Sequence, residues 1–435
     1  MVTGFRPRAR GARWSFVFVA LAFAACGGLP RSIRVSPTLG MQEPAFLATI
    51  GAYTDARFLG GNRVDILLNG DGTFPPLLDA IRAAKRSITF AEYFWDTGSI
   101  ADDVVHVLAD RCRQGVHAHV LLDSFGASGI RRELVAELED AGCQLQWFRR
   151  IKVLQFLTPW ELLSYNSRSH RRIVVVDGAI GFTGGYGISE AWMGNGRQPD
   201  RWRDTNVRIM GPVVQQLQAA FVQDWAVTTG VALVGDDYFP RLSPAGDVLA
   251  QIVKSAPASG TSESYMMFLL AITAARRKIH ITNPYFVVDR PMRQALIDAA
   301  KRGVDVKVLV PGRLEHEMVR VDQNLVHYAG RGSLGPLLKA GIRIYDYDVG
   351  LLHAKTMIVD DLWATVGSTN LDRRSFELNE ELNLTVFDAR TASELNRIFD
   401  DDLAHSREIT YAQWRGRGLV PRFFELFAIP ARSQL

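Results

Sequence analysis

The feature that most constrains the fold of this 435-residue chain is an internal duplication. Residues 84–94 recur, with one extra residue, at 275–286, and each copy follows a helical pattern and enters an apolar run typical of a buried strand. In both copies a charged helix end then leads through a glycine, Gly115 or Gly303, into a second apolar run. This alternation predicts an α/β fold of two similar halves, each with a mainly parallel sheet covered by helices.

The duplication also divides the chain. We predict a first half over residues 61–233 and a second over 265–408, joined by a linker over 234–264 in which glycine and proline cluster. Residues 27–60 are predicted to be a second linker, and 409–435 a tail that packs on the body or on a membrane. If the halves pack about a pseudo-two-fold axis, corresponding residues of both should meet at their interface.

One short motif occurs once in each half. Its residues are His170, Arg172 and Asp177 in the first half and His353, Lys355 and Asp360 in the second. Side chains two positions apart on a strand share a face, so each histidine should point the same way as its cation. One buried histidine is more often a core residue, but two histidines, each beside a cation, would repel one another unless an anion binds between them.

The paired motif therefore predicts a phosphodiester site. One imidazole would attack phosphorus and the other would protonate the leaving oxygen. The cations and the backbone N–H groups of the following loops would hold the phosphate oxygens. The candidate binding residues of these loops are Gly184, Gly185, Gly367, Ser368 and Asn370. We expect neither a metal nor another cofactor, because no carboxylate cluster accompanies the motifs.

The two motifs identify the chain as a member of the phospholipase D superfamily, whose hallmark is a pair of His-x-Lys-x4-Asp motifs. The resemblance covers most of the chain and implies a phosphohistidine intermediate, with His170 as the nucleophile and His353 as the acid. The internal symmetry permits the reverse assignment. The resemblance also implies that a downstream carboxylate orients each histidine. The matching positions are Asp204 and Glu381, and Glu380 competes for the second role.

The resemblance assigns the motif aspartates, Asp177 and Asp360, a structural role in most members. The first motif departs from the superfamily pattern at two positions. Arg172 replaces the usual lysine, and Gly187 stands where asparagine is frequent, whereas Asn370 keeps it in the second half. An arginine keeps the charge but presents a planar fork. We therefore expect the first half to bind phosphate in the less typical way.

Within the superfamily the sequence resembles bacterial cardiolipin synthases. That resemblance implies transfer of a phosphatidyl group between two phosphatidylglycerol molecules, giving cardiolipin and glycerol, with an anionic phospholipid at a membrane surface as the partner. A phospholipase D-type hydrolase or another phosphatidyl transferase would use the same residues. A nuclease-like phosphodiesterase is disfavoured by a net charge of only +4, and a non-catalytic lipid-binding module by the two complete motifs. We expect no nucleic-acid partner and a monomer, because both halves would form one site.

The amino terminus suggests export. Residues 1–26 combine four arginines with a short apolar run, which is typical of a secretory signal, and Cys26 ends a stretch that resembles a lipoprotein lipobox. An uncleaved short anchor and an apolar start without a targeting role are the alternatives. We expect a membrane-associated protein of the bacterial cell envelope, exported and held through its N-terminus.

Two further features bear on location. In an exported body Cys112 and Cys143 would meet oxidising conditions and could pair, or they could remain buried thiols. Apolar residues alternate with Arg149, Arg150 and Lys152 ahead of the first motif. Such a segment suits either an interface with anionic lipid or packing in the core.

Overall fold

The computed structural model describes residues 33, 35, 39–149, 167–256, 262–312 and 330–418. The predicted leader over 1–26, the basic residues Arg150 and Lys152 and the tail beyond residue 418 lie outside these described residues. Among the described residues, no helix combines the length and the apolar character needed to cross a membrane.

The described strands form one continuous sheet of fifteen strands and a small sheet of two. The strands of the first half are β1 (Leu59–Leu68), β2 (Ser87–Glu92), β3 (His117–Asp123), β4 (Gln144–Phe148), β5 (Ile173–Val176), β6 (Ile180–Gly184), β7 (Trp202–Arg203) and β8 (Thr205–Met210). Those that follow are β9 (Val248–Ser255), β10 (Lys278–Thr282), β11 (Asp305–Pro311), β12 (Arg343–Tyr347), β13 (Leu351–Leu352), β14 (Thr356–Val359), β15 (Trp363–Gly367), β16 (Glu381–Phe387) and β17 (Ser406–Ile409).

The strand order confirms the duplicated plan. From the central pair β1 and β9, the large sheet runs outward through β8, β6, β5, β2, β3 and β4 on one side. On the other side it runs through β16, β15, β14, β10, β11 and β12, with β17 added at that edge. The two series correspond strand for strand, so the two halves are related by a pseudo-two-fold axis between β1 and β9.

The α/β class is confirmed, but the sheet is more mixed in direction than the mainly parallel sheets we expected. Only the outer strands β2, β3, β4 and their counterparts β10, β11, β12 run parallel. The central strands pair antiparallel, including the motif hairpins β5–β6 and β14–β15. Helices cover both faces of the sheet, so the antiparallel motif strands β5 and β14 are buried along their whole length and their sequences look like those of parallel strands.

Helices pack on both faces of the sheet. They are α1 (Pro44–Tyr53), α2 (Asn69–Ala83), α3 (Ser99–Arg113), α4 (Arg132–Asp140), α5 (Val214–Thr229), α6 (Glu263–Ala274), α7 (Arg290–Lys301), α8 (Gly335–Lys339), α9 (Arg373–Glu377), α10 (Ala389–Ala404) and α11 (Tyr411–Gly416). Apolar residues of α2, α3 and α4 form one core with the first half-sheet, and α6, α7 and α8 form its counterpart. Residues of α5 and α10 share a third core on the opposite face.

The segments that we predicted to be linkers contribute to the fold. Residues 234–264 contain β9, which pairs with both β1 and β16 at the centre of the large sheet. Residues 27–60 contain α1 and the start of β1, and the predicted tail begins with the end of β17 and with α11. Glycine and proline in these stretches mark the turns around short elements, which a composition count does not resolve.

The structure contains a disulfide bond between Cys112 and Cys143, whose Cα atoms are 5.5 Å apart. Cys112 lies near the end of α3, and Cys143 directly precedes β4. The bond therefore fixes a helix to the edge strand of the first half-sheet, and it decides between the two states that the sequence left open for these cysteines.

Candidate active site

Two equivalent hairpins carry the motifs. In the first half the hairpin β5–β6 turns at Asp177 and Gly178, whose φ angles are 52° and 64°. In the second half β14–β15 turns at Asp360 and Asp361, with φ angles of 54° and 60°. Two consecutive left-handed residues are the requirement of a type I′ turn, which Asp and Gly satisfy well. Each motif histidine lies at the other end of its hairpin, three residues before the strand begins.

The motif aspartates hold backbone rather than substrate. The Asp177 carboxylate accepts hydrogen bonds from the N–H groups of Lys85, Arg86 and Ser87, at 2.7–3.1 Å. Asp360 accepts the equivalent three, from Arg276, Arg277 and Lys278, at 2.7–3.0 Å. Each aspartate thus fixes the start of the neighbouring parallel strand, β2 or β10, as the superfamily resemblance implied.

Main-chain bonds between the halves bring the two histidines to one interface. The His170 N–H donates to the carbonyl of Glu380 at 2.8 Å, and the His353 N–H donates to the carbonyl of Arg203 at 2.8 Å. The second contact continues the small parallel sheet of β7 and β13. In each case the accepting carbonyl belongs to the residue just before a predicted orienting carboxylate.

The orienting carboxylates are exchanged between the halves. Oδ2 of Asp204, from the first half, lies 2.7 Å from Nδ1 of His353 in the second. Oε1 of Glu381, from the second half, lies 3.2 Å from Nδ1 of His170 in the first. Pairing each histidine with the carboxylate downstream in its own half is therefore wrong, because the pseudo-two-fold packing places each strand end against the other half.

Glu381, and not Glu380, faces His170. The Glu381 side chain is fully buried and also accepts a hydrogen bond from Ser368 Oγ at 2.5 Å. The Glu380 carboxylate instead pairs with Arg149 at 3.2 Å and lies 3.6 Å from Arg171. Consecutive residues at the start of a strand point to opposite faces, so only one of the two can reach the imidazole.

Both motif cations donate to the carbonyl of their own histidine. Lys355 Nζ donates to the His353 carbonyl at 2.7 Å and lies 3.0 Å from Nδ1 and 2.9 Å from Nε2 of the same ring. Arg172 Nη1 donates to the His170 carbonyl at 2.8 Å, and its Nε donates to the carbonyl of Tyr186 at 2.8 Å. Lys355 thus lies close to both nitrogens of its imidazole, whereas Arg172 holds the loop that follows β6.

Different aromatic rings surround the two histidines. The indoles of Trp192 and Trp202 stack on each other at 5.3 Å, and the ring of His353 packs against both, with centroid distances of 5.3 and 5.1 Å. Trp192 also donates its indole N–H to Oδ2 of Asp204 at 3.0 Å. Within the described part of the chain, the aromatic ring in contact with His170 is that of Tyr93, at 4.1 Å. The two halves therefore differ in the aromatic residues that pack against their motif histidines.

The loop residues that we expected to bind phosphate already have partners. The Gly185 N–H donates to Asn206 Oδ1 at 2.9 Å, the Gly367 N–H to the Lys355 carbonyl at 3.3 Å and the Ser368 N–H to the Leu382 carbonyl at 2.9 Å. That these N–H groups bind phosphate stays a prediction, and it requires them to exchange these partners for the ligand.

The glycines serve close packing instead. A Cβ on Gly184 would lie 2.2 Å from Asn206 Oδ1, and one on Gly367 would lie 1.9 Å from Asn383 Oδ1. A Cβ on Gly185 would lie 2.5 Å from Oδ1 of Asp204. Among these candidates Asn370 retains a buried side-chain oxygen without a hydrogen-bond partner in the described residues.

Burial favours the neutral form of both imidazoles. Burial and the neighbouring Lys355 together lower the pKa of His353 to about 4, against the opposing pull of Asp204. Burial likewise lowers the pKa of His170. The carboxylates stay ionised: burial raises the pKa of Asp204, but attraction to His353 and Lys355 outweighs it and brings the pKa to about 2.

The same electrostatics link the two motifs. Burial lowers the pKa of Lys355 to about 7, and the positive charge of Arg172 contributes to that lowering across the interface. Arg172 also helps to lower the pKa of His353. The two cations and the two imidazoles therefore lie on one interface between the halves. An anion bound among them would reduce the repulsion between the two cations.

Three residues that contact the histidines were not among the sequence predictions. Tyr93, Trp192 and Asn379 contact the histidines, and Asn379 Nδ2 lies 3.3 Å from Nδ1 of His170. The sequence gives little sign of these contacts. For Tyr93 the sign is its place directly after the polar residue that ends the apolar strand β2. In the described part of the chain, no group of three or more His, Cys, Asp or Glu side chains is arranged to hold a metal ion.

Comparisons with known proteins agree with this geometry. The family described as "Cardiolipin synthase, PLD-like domain" matches residues 77–225 and 268–403, one stretch in each half. A cardiolipin synthase of Staphylococcus aureus is 34% identical over 86% of this chain and 74% of its own length. Cardiolipin synthase 1 of Bacillus anthracis is 34% identical over 85% of this chain and 73% of its own length.

A solved structure supports the fold independently. Phosphatidylserine synthase from Haemophilus influenzae superposes with a TM-score of 0.68, covering 89% of this chain and 98% of that one. Its sequence identity is only 14%, so the likeness concerns the fold.

Proposed function

Because this chain belongs to the cardiolipin synthase family of phospholipase D-like proteins and is an enzyme of that superfamily, we propose that it transfers a phosphatidyl group from one phosphatidylglycerol to another. The products would be cardiolipin and glycerol. The observation that carries the proposal is the exchanged pairing of Asp204 with His353 and of Glu381 with His170.

The pairing supports a phosphohistidine mechanism. Each carboxylate accepts the Nδ1–H of its imidazole, so a neutral His170 presents an Nε2 lone pair and a protonated His353 presents an Nε2–H. Nε2 of His170 attacks phosphorus, a P–N bond forms, and the P–O bond to the glycerol headgroup breaks. The departing oxygen takes the proton of His353 and leaves as glycerol.

The second step reverses these roles. A hydroxyl of a second phosphatidylglycerol loses its proton to His353 and attacks the phosphohistidine. The new P–O bond forms as the P–N bond breaks, and His170 returns to its neutral state. The side chain of His353 is only 12% exposed and packs against two stacked indole rings, and exclusion of bulk water there favours a lipid alcohol as the acceptor.

Substrate binding also prepares the acid. The positive charges of Lys355 and Arg172 both contribute to the low pKa of His353. A bound phosphodiester adds a negative charge at this point, which favours the protonated imidazole and raises the pKa of His353. The ammonium of Lys355 is then free to move from the imidazole nitrogen to a phosphate oxygen.

The experiment that tests the reaction is a headgroup assay. Purified protein in vesicles of phosphatidylglycerol should form cardiolipin and free glycerol in equal amounts. Phosphatidic acid as the sole lipid product would instead identify a hydrolase, and no turnover of phosphatidylglycerol would refute the substrate. Phosphatidylethanolamine vesicles containing no phosphatidylglycerol provide the control for the donor.

Export of the body is a second part of the proposal. The disulfide between Cys112 and Cys143 supports an oxidising location. The charged, apolar leader that ends at Cys26 supports anchoring at a membrane. Thiol alkylation before and after reduction, on protein taken from the cell envelope, should reveal two protected cysteines, and lipid labelling should disappear in C26A. Free thiols in freshly isolated protein would count against export.

A further inference from the structure

A buried carboxyl group beside the first motif has no part in the mechanism above. Glu92 ends β2 and is only 2% exposed. Its Oε1 accepts the backbone N–H groups of Tyr93 at 2.9 Å and Phe94 at 3.1 Å and lies 3.7 Å from Arg172 Nε. Its Oε2 is buried without a hydrogen-bond partner among the described residues. Unpaired buried oxygens are costly, so their retention calls for a physical reason.

The pseudo-two-fold symmetry provides a comparison. Ser87 and Lys278 occupy equivalent positions, since each donates its N–H to a motif aspartate, and five residues later stand Glu92 and Asn283. In the second half Asn283 Nδ2 donates to the Thr369 carbonyl at 3.4 Å. The Asn283 amide thus ties the end of its parallel strand to the loop after the motif hairpin.

The first half makes the equivalent tie differently. Oε2 of Glu92 makes no such hydrogen bond among the described residues, and the carbonyl equivalent to that of Thr369 belongs to Tyr186. This carbonyl accepts from Arg172 Nε at 2.8 Å, while Arg172 Nη1 reaches the His170 carbonyl as Lys355 reaches that of His353. The guanidinium therefore makes two contacts that two separate side chains make in the second half.

We propose that Glu92 is a positioning residue that fixes the guanidinium of Arg172 beside His170. Ionisation of Glu92 then prevents Arg172 from binding phosphate. The inference rests on the proposed function, because Arg172 matters through the phosphate that it faces. A neutral Glu92 leaves the full charge of Arg172 available to a phosphodiester. An ionised Glu92 forms a buried ion pair with Arg172 and cancels that charge.

The charges around Glu92 agree with this role. The groups that face it are Arg172 from the start of β5, Asp204 from the start of β8 and the Tyr186 hydroxyl from the loop after β6. Burial raises the pKa of Glu92 to about 8, against the pull of Arg172. Glu92 is therefore neutral at pH 7 and ionises within the range in which lipid assays are readily made.

Three variants test the proposal. E92A removes the group, E92Q keeps a neutral acceptor of the same shape, and E137Q is the matched control, since Glu137 pairs with Arg113 on helices outside the site. Values of kcat and KM are measured from pH 6 to 10 with phosphatidylglycerol and with bis(4-nitrophenyl) phosphate. The second substrate tests phosphodiester cleavage without depending on a lipid.

We expect E92A to lower kcat by about 10²-fold at pH 7, the effect of a misplaced catalytic group. E92Q should recover most of that loss, and its decline above about pH 8 should be weaker than that of the wild type, because Lys355, whose pKa is about 7, loses its charge in both proteins. E137Q should retain both the wild-type rate and the wild-type decline. The thermal midpoint of each variant is recorded, so that a folding defect in E92A leaves the pH profile of E92Q to decide.

Two results would overturn the proposal: a folded E92A with wild-type kcat, or an E92Q whose alkaline decline equals that of the wild type. Cleavage of the chromogenic diester without turnover of phosphatidylglycerol would refute the proposed lipid reaction alone. In that case the pH profiles of the variants on the diester still decide the role of Glu92.

Discussion

Replacing Asp204 by asparagine tests whether the exchanged carboxylates matter for the reaction. Oδ2 of Asp204 accepts from His353 Nδ1 at 2.7 Å and from the Trp192 indole at 3.0 Å, and Oδ1 accepts from the Thr205 N–H at 2.9 Å. All three partners donate hydrogen. An amide has only one accepting oxygen, so in either orientation its NH2 group faces at least one of these donors.

The magnitude follows from the bond that is lost. A hydrogen bond to a charged group contributes about 1.5–3 kcal/mol, and each 1.36 kcal/mol in the barrier is a factor of ten in rate. We therefore expect D204N to lower kcat by about 10–150-fold. The attraction of Asp204 also raises the pKa of His353. Its loss lowers that pKa, so the pH optimum of D204N should lie below that of the wild type.

The assay is cardiolipin formation from phosphatidylglycerol as a function of pH. D65N is the matched control. Asp65 on β1 pairs with Arg208 on β8, and neither residue contacts the histidines. Thermal midpoints separate catalysis from folding. A folded D204N that keeps more than half of the wild-type kcat, with an unshifted optimum, would refute the role of this pair.

Three further predictions follow from the same structure. H170A and H353A should each abolish turnover of phosphatidylglycerol. With an activated diester, whose leaving group needs no proton, only H353A should accumulate phosphate on a histidine. Accumulation in H170A alone would reverse the assignment of nucleophile and acid. Reducing the Cys112–Cys143 disulfide, whose cysteines are 31 residues apart, should lower the free energy of unfolding by about 3–4 kcal/mol in chemical denaturation; an unchanged midpoint would show that the bond adds nothing. Glu92, with a pKa of about 8 when folded against 4.5 as the ordinary value, binds a proton that the unfolded chain releases. Wild-type stability should therefore fall between about pH 4.5 and 8, and E92Q should lack that part of the slope in melting curves.

The sequence was sufficient to predict features encoded locally. The repeated helix ends at Gly115 and Gly303, both with positive φ, predict the order of helices and strands, whereas the hairpin turns at Asp177 and Asp360 were not predicted. These features depend on contacts between residues near in the chain. The two halves and the α/β class follow from them.

Features that depend on packing between the halves were not predictable in this way. The crossing of Asp204 to His353 is set by how two half-sheets meet at β1 and β9, and no local pattern encodes that meeting. The choice between Glu380 and Glu381 depends on which face of β16 looks toward the first half. The partners of the loop N–H groups were not predictable either, because the side chains that accept from them, such as Asn206, lie on another strand.

The exchange of carboxylates also bears on ancestry. A chain with the length of one half could complete a histidine–carboxylate pair only by meeting a second copy of itself. Fusion of two copies makes that meeting permanent and releases the copies from the need to be identical. The differences between them, with Glu92 facing Arg172 on one side and Asn283 donating to the Thr369 carbonyl on the other, are changes that a symmetric pair of identical chains could not have kept separate.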